Sequence, residues 1–564
     1  MGSGEILQSR GSQCWLLFLV CGFLVTAPLV AAQQARAEDS QAELAARTIL
    51  DTRCSGCHAP QEQGGKFDGI ESQRKTPEGW SMTLSRMART HGVELQAGEA
   101  RTLVKYLSDH YGLAPAEVEP YRFILEQRNT RTTQEVPEPL QAGCVQCHSY
   151  ARIALQRRSP ESWARLADAK VALMPNIGSE TASAGLLTDF WYENAKNTAV
   201  PHLIKHQPFE TKEWQEWQAV KKASYAGTWL VVGHDPGRGG DYTGQLILTA
   251  LEDDQYSGEF SYTFADGSQM EGSTTGMIYS GFQWRGVAQV RQAGQAEKET
   301  QQREIFFASE DGNTVSGRRL VTNFGDLGMD ETWYRSQDAA RLLTVSPAMI
   351  QTGSPQTVKI FGNGFSGDLL SSDNFSFGEG VGVLSLRLDG DNTVVAEVFA
   401  KAGVKAGRRQ VSIKGVAGEG QVTVYGAVDY IRITPERGFA RPGGIRTPKI
   451  FQQFEVVGYT NGPDKTKGTG DDVRLGRIGP VKWNLEEYVK RPNDDDVQYV
   501  GAIDQTGLFL PREDGPNQKR HRMEGNVGDV WVEAWYMTKG AKRPMGARAH
   551  LLVMPAKFVF PPIE

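Results

Sequence analysis

At 564 residues the chain is too long for one hydrophobic core and calls for roughly three to five domains. Its formal net charge of −6 is mild for this length, and no basic stripe of the kind that grips nucleic acid is present.

Residues 1–37 read as an export signal. Arg10 supplies the positive start, Trp15 to Val30 is apolar, and Ala35-Arg36-Ala37 offers a small-residue cleavage site before Glu38. Val30-Ala31-Ala32 is a second such site. The apolar run falls short of the roughly 20 residues needed to span a bilayer, which favours cleavage over an uncleaved anchor. Cleavage removes Cys14 and Cys21 and leaves four cysteines in the exported chain.

Those four form two copies of Cys-x-x-Cys-His: Cys54-Ser55-Gly56-Cys57-His58 and Cys144-Val145-Gln146-Cys147-His148. Two thiols three apart can add to the two vinyl groups of one porphyrin, and the adjacent histidine then lies under the iron. Two CxxC pairs also suit a four-thiolate zinc site or disulfides, but neither needs a histidine after each second cysteine. The expectation is two covalent haem c groups, held by Cys54 and Cys57 and by Cys144 and Cys147, with His58 and His148 as proximal ligands. Such haems are attached outside the bacterial inner membrane, so the periplasm is the expected location.

The motifs share their surroundings. Thr76-Pro77-Glu78-Gly79-Trp80 follows the first and Ser159-Pro160-Glu161-Ser162-Trp163 the second. A hydroxyl N-cap, proline at the first helical position and glutamate in the first turn open a helix in each. Residues 38–210 are expected to be an α-helical tandem cytochrome c domain, in two units of about 38–125 and 126–210. Ala97 to Tyr111 reads as an amphipathic helix with Leu103, Val104 and Leu107 on one face. Met82, Met87, His91 and His110 are the available distal ligands in the first unit, and Met174, His202 and His206 in the second. A gap-free alignment on Trp80 and Trp163 sets His91 opposite Met174. The expected distal ligands are therefore His91 for the first iron and Met174 for the second, with Met87 a rival to His91, since methionine is common at this place. Core filling is the ordinary role of a methionine such as Met82.

Val200 to Glu210 reads as a linker, and Lys212 to Lys222 as a short helix. Beyond it the texture is β: short alternating runs, punctuated by Gly, Asp and Ser, as in Trp229-Leu-Val-Val and Glu259-Phe-Ser-Tyr-Thr-Phe. Residues 211–340 are expected to form a barrel-like domain, with Asp266-Gly267 as a hairpin turn. Residues 341–426 resemble an immunoglobulin-like sandwich, and 427–564 are expected to form a C-terminal antiparallel β-sandwich domain with strands near Tyr430–Thr434, Phe451–Tyr459, Val481–Trp483 and Val530–Tyr536. Gly237-Arg238-Gly239-Gly240 lacks the Gly-Lys-Ser/Thr ending of a phosphate loop and reads as a hairpin tip. Asp464, Asp471 and Asp472 have acidic spacing that would suit calcium, but the closing glutamate of an EF-hand is absent and a solvated loop is the plainer reading. Asp494-Asp495-Asp496 reads as surface charge. No nucleophile elbow, His-Glu-x-x-His or dinucleotide fingerprint occurs.

The last domain contains Phe451-Gln-Gln-Phe-Glu, Asn461-Gly-Pro-Asp, Trp483-Asn-Leu-Glu-Glu-Tyr, Asp494-Asp-Asp-Val and Val527-Gly-Asp-Val-Trp-Val. In this order, behind a tandem CxxCH domain, they make the chain resemble the large dihaem (alpha) subunit of quinohemoprotein amine dehydrogenase. The resemblance implies a heterotrimer with a β-propeller subunit and a small subunit bearing cysteine tryptophylquinone. It implies oxidation of primary amines on that quinone, with electrons leaving through the haems to a periplasmic blue-copper protein or cytochrome c. On this reading the catalytic site lies on a partner. A free-standing dihaem carrier and a dihaem peroxidase are the competing functions.

Overall fold

The structure is a computed structural model that describes residues 41–555, apart from 61–64, 129–135, 142, 146–147, 174–186, 238–239, 293–298, 322–326, 338, 444–447, 493 and 539. The signal segment, Cys147 and Met174 lie outside the described residues. No helix among the described residues is long and apolar enough to cross a membrane. The chain divides into two compact units. One comprises residues 1–113, 156–175 and 200–210, and the other 114–155, 176–199 and 211–564. The first Cys-x-x-Cys-His motif belongs to the first unit and the second motif to the other.

The first unit is helical. A helix over 41–49 runs into a wider turn at Leu50–Cys54. Strand β1 (Gln73–Lys75) pairs antiparallel with β2 (Gln156–Arg158), with Arg74 opposite Arg157. Each strand feeds a helix, α1 (Pro77–His91) and α3 (Pro160–Leu173); α2 (Ala97–His110) lies between them in sequence. The two helix starts are built alike. The Thr76 hydroxyl accepts from Gly79 N at 3.2 Å, and the Ser159 hydroxyl from Ser162 N at 3.2 Å. Trp80 and Trp163, both buried, each donate the indole N–H to a backbone carbonyl at 3.0 Å, of Tyr111 and of Gln207. The core of this unit gathers Ala46, Leu50, Phe67, Trp80, Leu103, Tyr106 and Leu107. Within the segment read as a linker, Val200–His206 is a helix. Pro201 comes just after a wider π-type turn at Ala195–Ala199, and Val200 and Leu203 are buried.

The second unit is dominated by β-structure. Strands β3 (Gly227–Asp235), β4 (Gly240–Ala250), β5 (Gln255–Phe264), β6 (Gln269–Tyr279), β7 (Gln283–Gln292), β8 (Glu299–Ala308), β9 (Thr314–Leu320) and β10 (Gly328–Arg335) close an antiparallel barrel. Asp266-Gly267 makes the β5–β6 turn, with Gly267 at φ 85° and the Asp266 carboxylate accepting from Ser268 N at 2.8 Å. Helix α4 (Lys212–Ala219) docks on the barrel through Trp217, whose indole donates to Ser280 O at 2.7 Å. The barrel interior is not wholly apolar. Arg319, with its side chain fully buried, donates to Glu304 at 2.9 Å and lies 3.5 Å from Glu331. Glu304 also accepts from Thr274 (2.6 Å) and Trp284 (2.9 Å), and Glu331 from Tyr242 (2.7 Å) and Trp333 (2.9 Å).

Next comes a sandwich of two four-stranded sheets, β11 (Arg341–Ser346), β13 (Pro355–Asn363), β16 (Thr393–Ala400) and β15 (Val381–Leu388) against β12 (Met349–Gln351), β18 (Gly420–Tyr425), β17 (Gly407–Ile413) and β14 (Phe375–Ser376). Inward positions such as Val358, Ile360, Val394, Val398, Val411 and Val424 make its core. The last domain joins three small sheets: β19 (Tyr430–Thr434), β22 (Glu455–Thr460) and β23 (Val473–Arg477); β20 (Arg437–Ala440), β28 (Met545–Val553), β27 (Gly528–Tyr536) and β24 (Val481–Glu487); and β21 (Gln452–Gln453), β26 (Leu508–Pro511) and β25 (Gly501–Ile503). The run Phe451–Tyr459 is thus two strands in two sheets, switched at buried Phe454. A multidomain chain with a helical N-terminal part and three β domains is the architecture expected from the sequence.

Candidate haem site

The first motif is presented by a single turn. Cys57 N and His58 N both donate to Cys54 O, at 3.2 and 2.9 Å, so the two thiols and the imidazole project from adjacent positions. Ala46 and Leu50 anchor this segment in the core, and Cys54 packs at its margin while Cys57 is exposed. Burial pushes the Cys54 thiol above its ordinary range.

The His58 ring is aimed by a turn supplied from elsewhere in the chain. Its Nδ1 lies 2.7 Å from Asp68 O. A carbonyl only accepts, so Nδ1 carries the proton and Nε2 is the bare nitrogen, which is the tautomer an iron ligand requires. The Asp68 turn is itself fixed. Glu71 accepts from Phe67 N at 2.5 Å and from the Tyr111 hydroxyl at 2.6 Å, Gln73 donates to Gly69 O at 2.7 Å, and Arg165 reaches the Asp68 carboxylate at 3.2 Å. Gly69 has φ 73°, and a Cβ there would sit 3.5 Å from His58 Nδ1. The donor set fits a covalently tethered porphyrin: two accessible thiols on one turn, Cys54 at the margin of an apolar core, and one imidazole already oriented.

Among the other sequence-derived candidates, Trp80, Leu84, Met87 and His91 follow a 3.6-residue stripe along α1, and Trp80 and Leu84 pack into the core beside Cys54. Met87 is half-buried and His91 exposed at the last residue of α1, where Gly92 N donates back to Met87 O. Met82 falls off that stripe. His110 is exposed against the Tyr106 ring, 4.6 Å between centroids. His202 and His206 stack at 4.3 Å, and burial together with His206 lowers the His202 pKa.

In the second motif Cys144 and His148 are described and Cys147 is not. Cys144 N donates to Leu140 O at 3.1 Å, beside buried Leu140, and Trp191 donates to Gly143 O at 3.3 Å. His148 Nδ1 lies 3.1 Å from the neighbouring Ser149 O.

Two acidic stretches in the last domain differ from one another. In the 464–472 loop the carboxylates serve the loop itself: Asp472 accepts from Gly462 N (3.0 Å), Gly468 N (2.7 Å) and Tyr430 (2.6 Å), and Asp471 from Thr469 (2.7 Å). Asp494–Asp496 is not simple surface charge. Arg520, almost fully buried, donates to Asp495 at 2.9 Å and Asp496 at 2.5 Å, and Asp496 and Asp494 stand beside Glu487. The buried guanidinium, invisible to a count of consecutive aspartates, holds Asp495 and Asp496, while Asp494 lies 3.6 Å from Arg491.

Four family profiles match the chain in order. These are quinohemoprotein amine dehydrogenase A, alpha subunit, haem binding, over 44–214; and the alpha-subunit domains II over 222–335, III over 339–426 and IV over 431–563. No curated protein matches the chain. Solved structures similar to parts of it include a de novo designed fluorescence-activating β-barrel (15% identity over 20% of this chain and 94% of that one, TM-score 0.17). Titin domains z1z2 in complex with telethonin are similar at 15% identity over 38% and 95%, TM-score 0.13. The polymeric Ig receptor ectodomain of a teleost fish is similar at 9% identity over 38% and 100%, TM-score 0.16. At such scores these likenesses carry no argument. The four profiles, spanning the described chain from the first haem motif to the last sheet, place this protein in the quinohemoprotein amine dehydrogenase alpha-subunit family.

Proposed function

We propose that this chain is the dihaem electron-transfer subunit of a periplasmic amine dehydrogenase. It would take electrons from a cysteine tryptophylquinone on a small partner subunit, with a β-propeller subunit completing the heterotrimer, and deliver them to a blue-copper protein or cytochrome c. The observation that carries the reading is the His58 imidazole, held as its Nδ1–H tautomer by Asp68 O beside two thiols on one turn. Bound haem c would supply reversible one-electron chemistry at iron. Cys54, Cys57, Cys144 and Cys147 would fix the two groups covalently, and His58 and His148 would be proximal ligands. His91, or its rival Met87, and Met174 would close the distal faces. Six-coordinate irons would leave the amine chemistry to the partner's quinone, and the chain's own contribution is then ligand identity, orientation and exclusion of water.

The test is the exported, mature chain. The reading expects the added mass of two porphyrins, low-spin spectra, co-purification with the two partner subunits, and reduction by a primary amine only in that complex. A product without porphyrin mass, or with zinc between the four sulfurs, overturns it. A lone monomer cycling without partners would favour the free carrier, and a high-spin, peroxide-reactive resting haem the peroxidase. Spectra of His91→Ala and Met87→Ala decide the first distal ligand: the change that turns a haem high-spin names it.

A further inference from the structure

The repeat in the first unit extends upstream of the helix starts. Gln73-Arg74-Lys75-Thr76-Pro77-Glu78 parallels Gln156-Arg157-Arg158-Ser159-Pro160-Glu161, and the two stretches pair as β1 and β2. The last strand residue of each, Lys75 and Arg158, is a buried cation laid over the tryptophan of its own repeat. Lys75 Nζ is 4.8 Å from the Trp80 ring, and the Arg158 guanidinium is 5.5 Å from the Trp163 ring.

Their hydrogen bonds go only to neutral groups. Lys75 donates to the Thr83 hydroxyl at 2.7 Å, and Arg158 to the Ser162 hydroxyl at 3.1 Å and to Gln156 Oε1 at 2.9 Å. No carboxylate among the described residues pairs with either. The charged groups that reach them are each other and Arg86 of α1, all cationic. Burial, then Arg158 and Arg86, push the Lys75 ammonium well below its ordinary range; burial and Arg86 push Arg158 down to about 9. Buried charge without a counter-charge is strongly disfavoured, so such a cluster calls for an anion.

The surroundings say which anion. Trp80, under Lys75, belongs to the core that Cys54 packs against, and Gln73 of the same strand holds the Gly69 carbonyl in the turn that aims His58. A porphyrin tethered at Cys54 and Cys57 brings two propionate carboxylates. We infer that Lys75 and Arg158 form the carboxylate-binding site for the propionates of the first haem, so that the β1–β2 ribbon is an electrostatic clamp on that cofactor. This rests on the haem reading of Cys54, Cys57 and His58 given above.

The clamp keeps the propionates ionised and their charge constant as the iron changes oxidation state. Loss of a nearby positive charge favours the ferric state, and an unclamped, partly buried propionate titrates in the range around neutrality.

The test is a spectroscopic redox titration of the full mature chain from about pH 5 to 8, in which a free carboxyl raised by burial would titrate. Wild type, Lys75→Met, Arg158→Met and Lys75→Arg are compared, with covalent haem content measured in each. A Cys144→Ala/Cys147→Ala chain assigns the signal of the first haem. In wild type the potential of the first haem is expected to be flat with pH. In Lys75→Met or Arg158→Met its reduction constant should fall about tenfold, which is about 59 mV for one electron, and become pH-dependent. Lys75→Arg should restore the wild-type profile.

Normal haem content with unmoved, pH-flat potentials overturns the clamp, as does a shift confined to the second haem. A response of the wild-type potential to inorganic phosphate would make the occupant a free anion, and also overturns it. If the Met variants do not mature, a pH-dependent first potential in wild type decides against it. Absence of covalent haem at Cys54 and Cys57 in wild type is a different outcome, which fails the underlying reading itself.

Discussion

Replacing Arg319 by methionine tests how the barrel tolerates charge in its centre. The guanidinium lies between Glu304 and Glu331 and stacks on Phe260 at 4.3 Å. Methionine keeps much of the volume and removes the cation, leaving two buried carboxylates facing each other. Removing one partner from such an arrangement costs about 3–5 kcal/mol. The hydrogen bonds from Thr274, Trp284, Tyr242 and Trp333 remain, so the lower half of that range is expected. Hydrogen exchange followed by mass spectrometry on peptides from β8 to β10 reads this domain by itself. At about 1.4 kcal/mol per factor of ten, corrected exchange should quicken by about two to three orders of magnitude.

The acid dependence adds a second constraint. Burial holds the Glu304 carboxyl above its ordinary range, and Arg319 opposes that rise. Without Arg319 the folded-state pKa climbs further above the unfolded value. The folded protein then binds a proton that the unfolded chain does not, and stability falls as pH rises through that window. The penalty should therefore be smaller at pH 5 than at pH 8, and Glu304→Gln in the same chain should recover part of it. A change in exchange below about tenfold, or an equal penalty at both pH values, would refute the reasoning.

Two further outcomes follow from the geometry. His234 places Nδ1 2.8 Å from Asp241 and Nε2 3.1 Å from Glu455; burial lowers its pKa, but the two carboxylates outweigh this and raise it to about 10. The stabilisation is full below the unfolded value and lost as pH rises through about 10, so His234→Gln should cost about 2 kcal/mol at pH 6 in urea unfolding and almost nothing above pH 10.5, after discounting for the exposed third of the ring. Glu71→Ala strands the buried Phe67 N–H and the Tyr111 hydroxyl and should cost about 1–3 kcal/mol. It should also broaden the electron paramagnetic resonance of a haem held at His58 as proposed, because the turn that aims His58 loosens; unchanged spectra would separate Glu71 from ligand orientation.

What the sequence displays, and what it hides, follows from range. The cysteine–histidine spacing is local chemistry, and the alternation in 227–335 is a local period, so both are legible along one dimension. The Pro-Glu-x-Trp repeats mark their helices because caps are local too. Asp68 as the partner of His58 is not legible, since a backbone carbonyl ten positions away leaves no residue signature. Arg319 looks like any solvated strand residue until closure of the barrel turns its face inward. Arg520 is hidden because a loop residue far along the chain gives no sign of being buried, and so the aspartates it holds read as surface charge. Lys75 and Arg158 look like any other basic residues along the chain, and only burial sets them apart.

The pairing of β1 with β2 also bears on the order of assembly. Its strands are separated by the segment 114–155, which belongs to the other unit, and Gln207 must arrive before the Trp163 indole has its acceptor. A chain made from its N-terminus therefore lacks a finished first unit until about residue 210 has been added. Under the proposed covalent haem attachment, Cys54 and Cys57 would sit on an unfinished unit for that interval, and both thiols would be reachable before native packing closes around them.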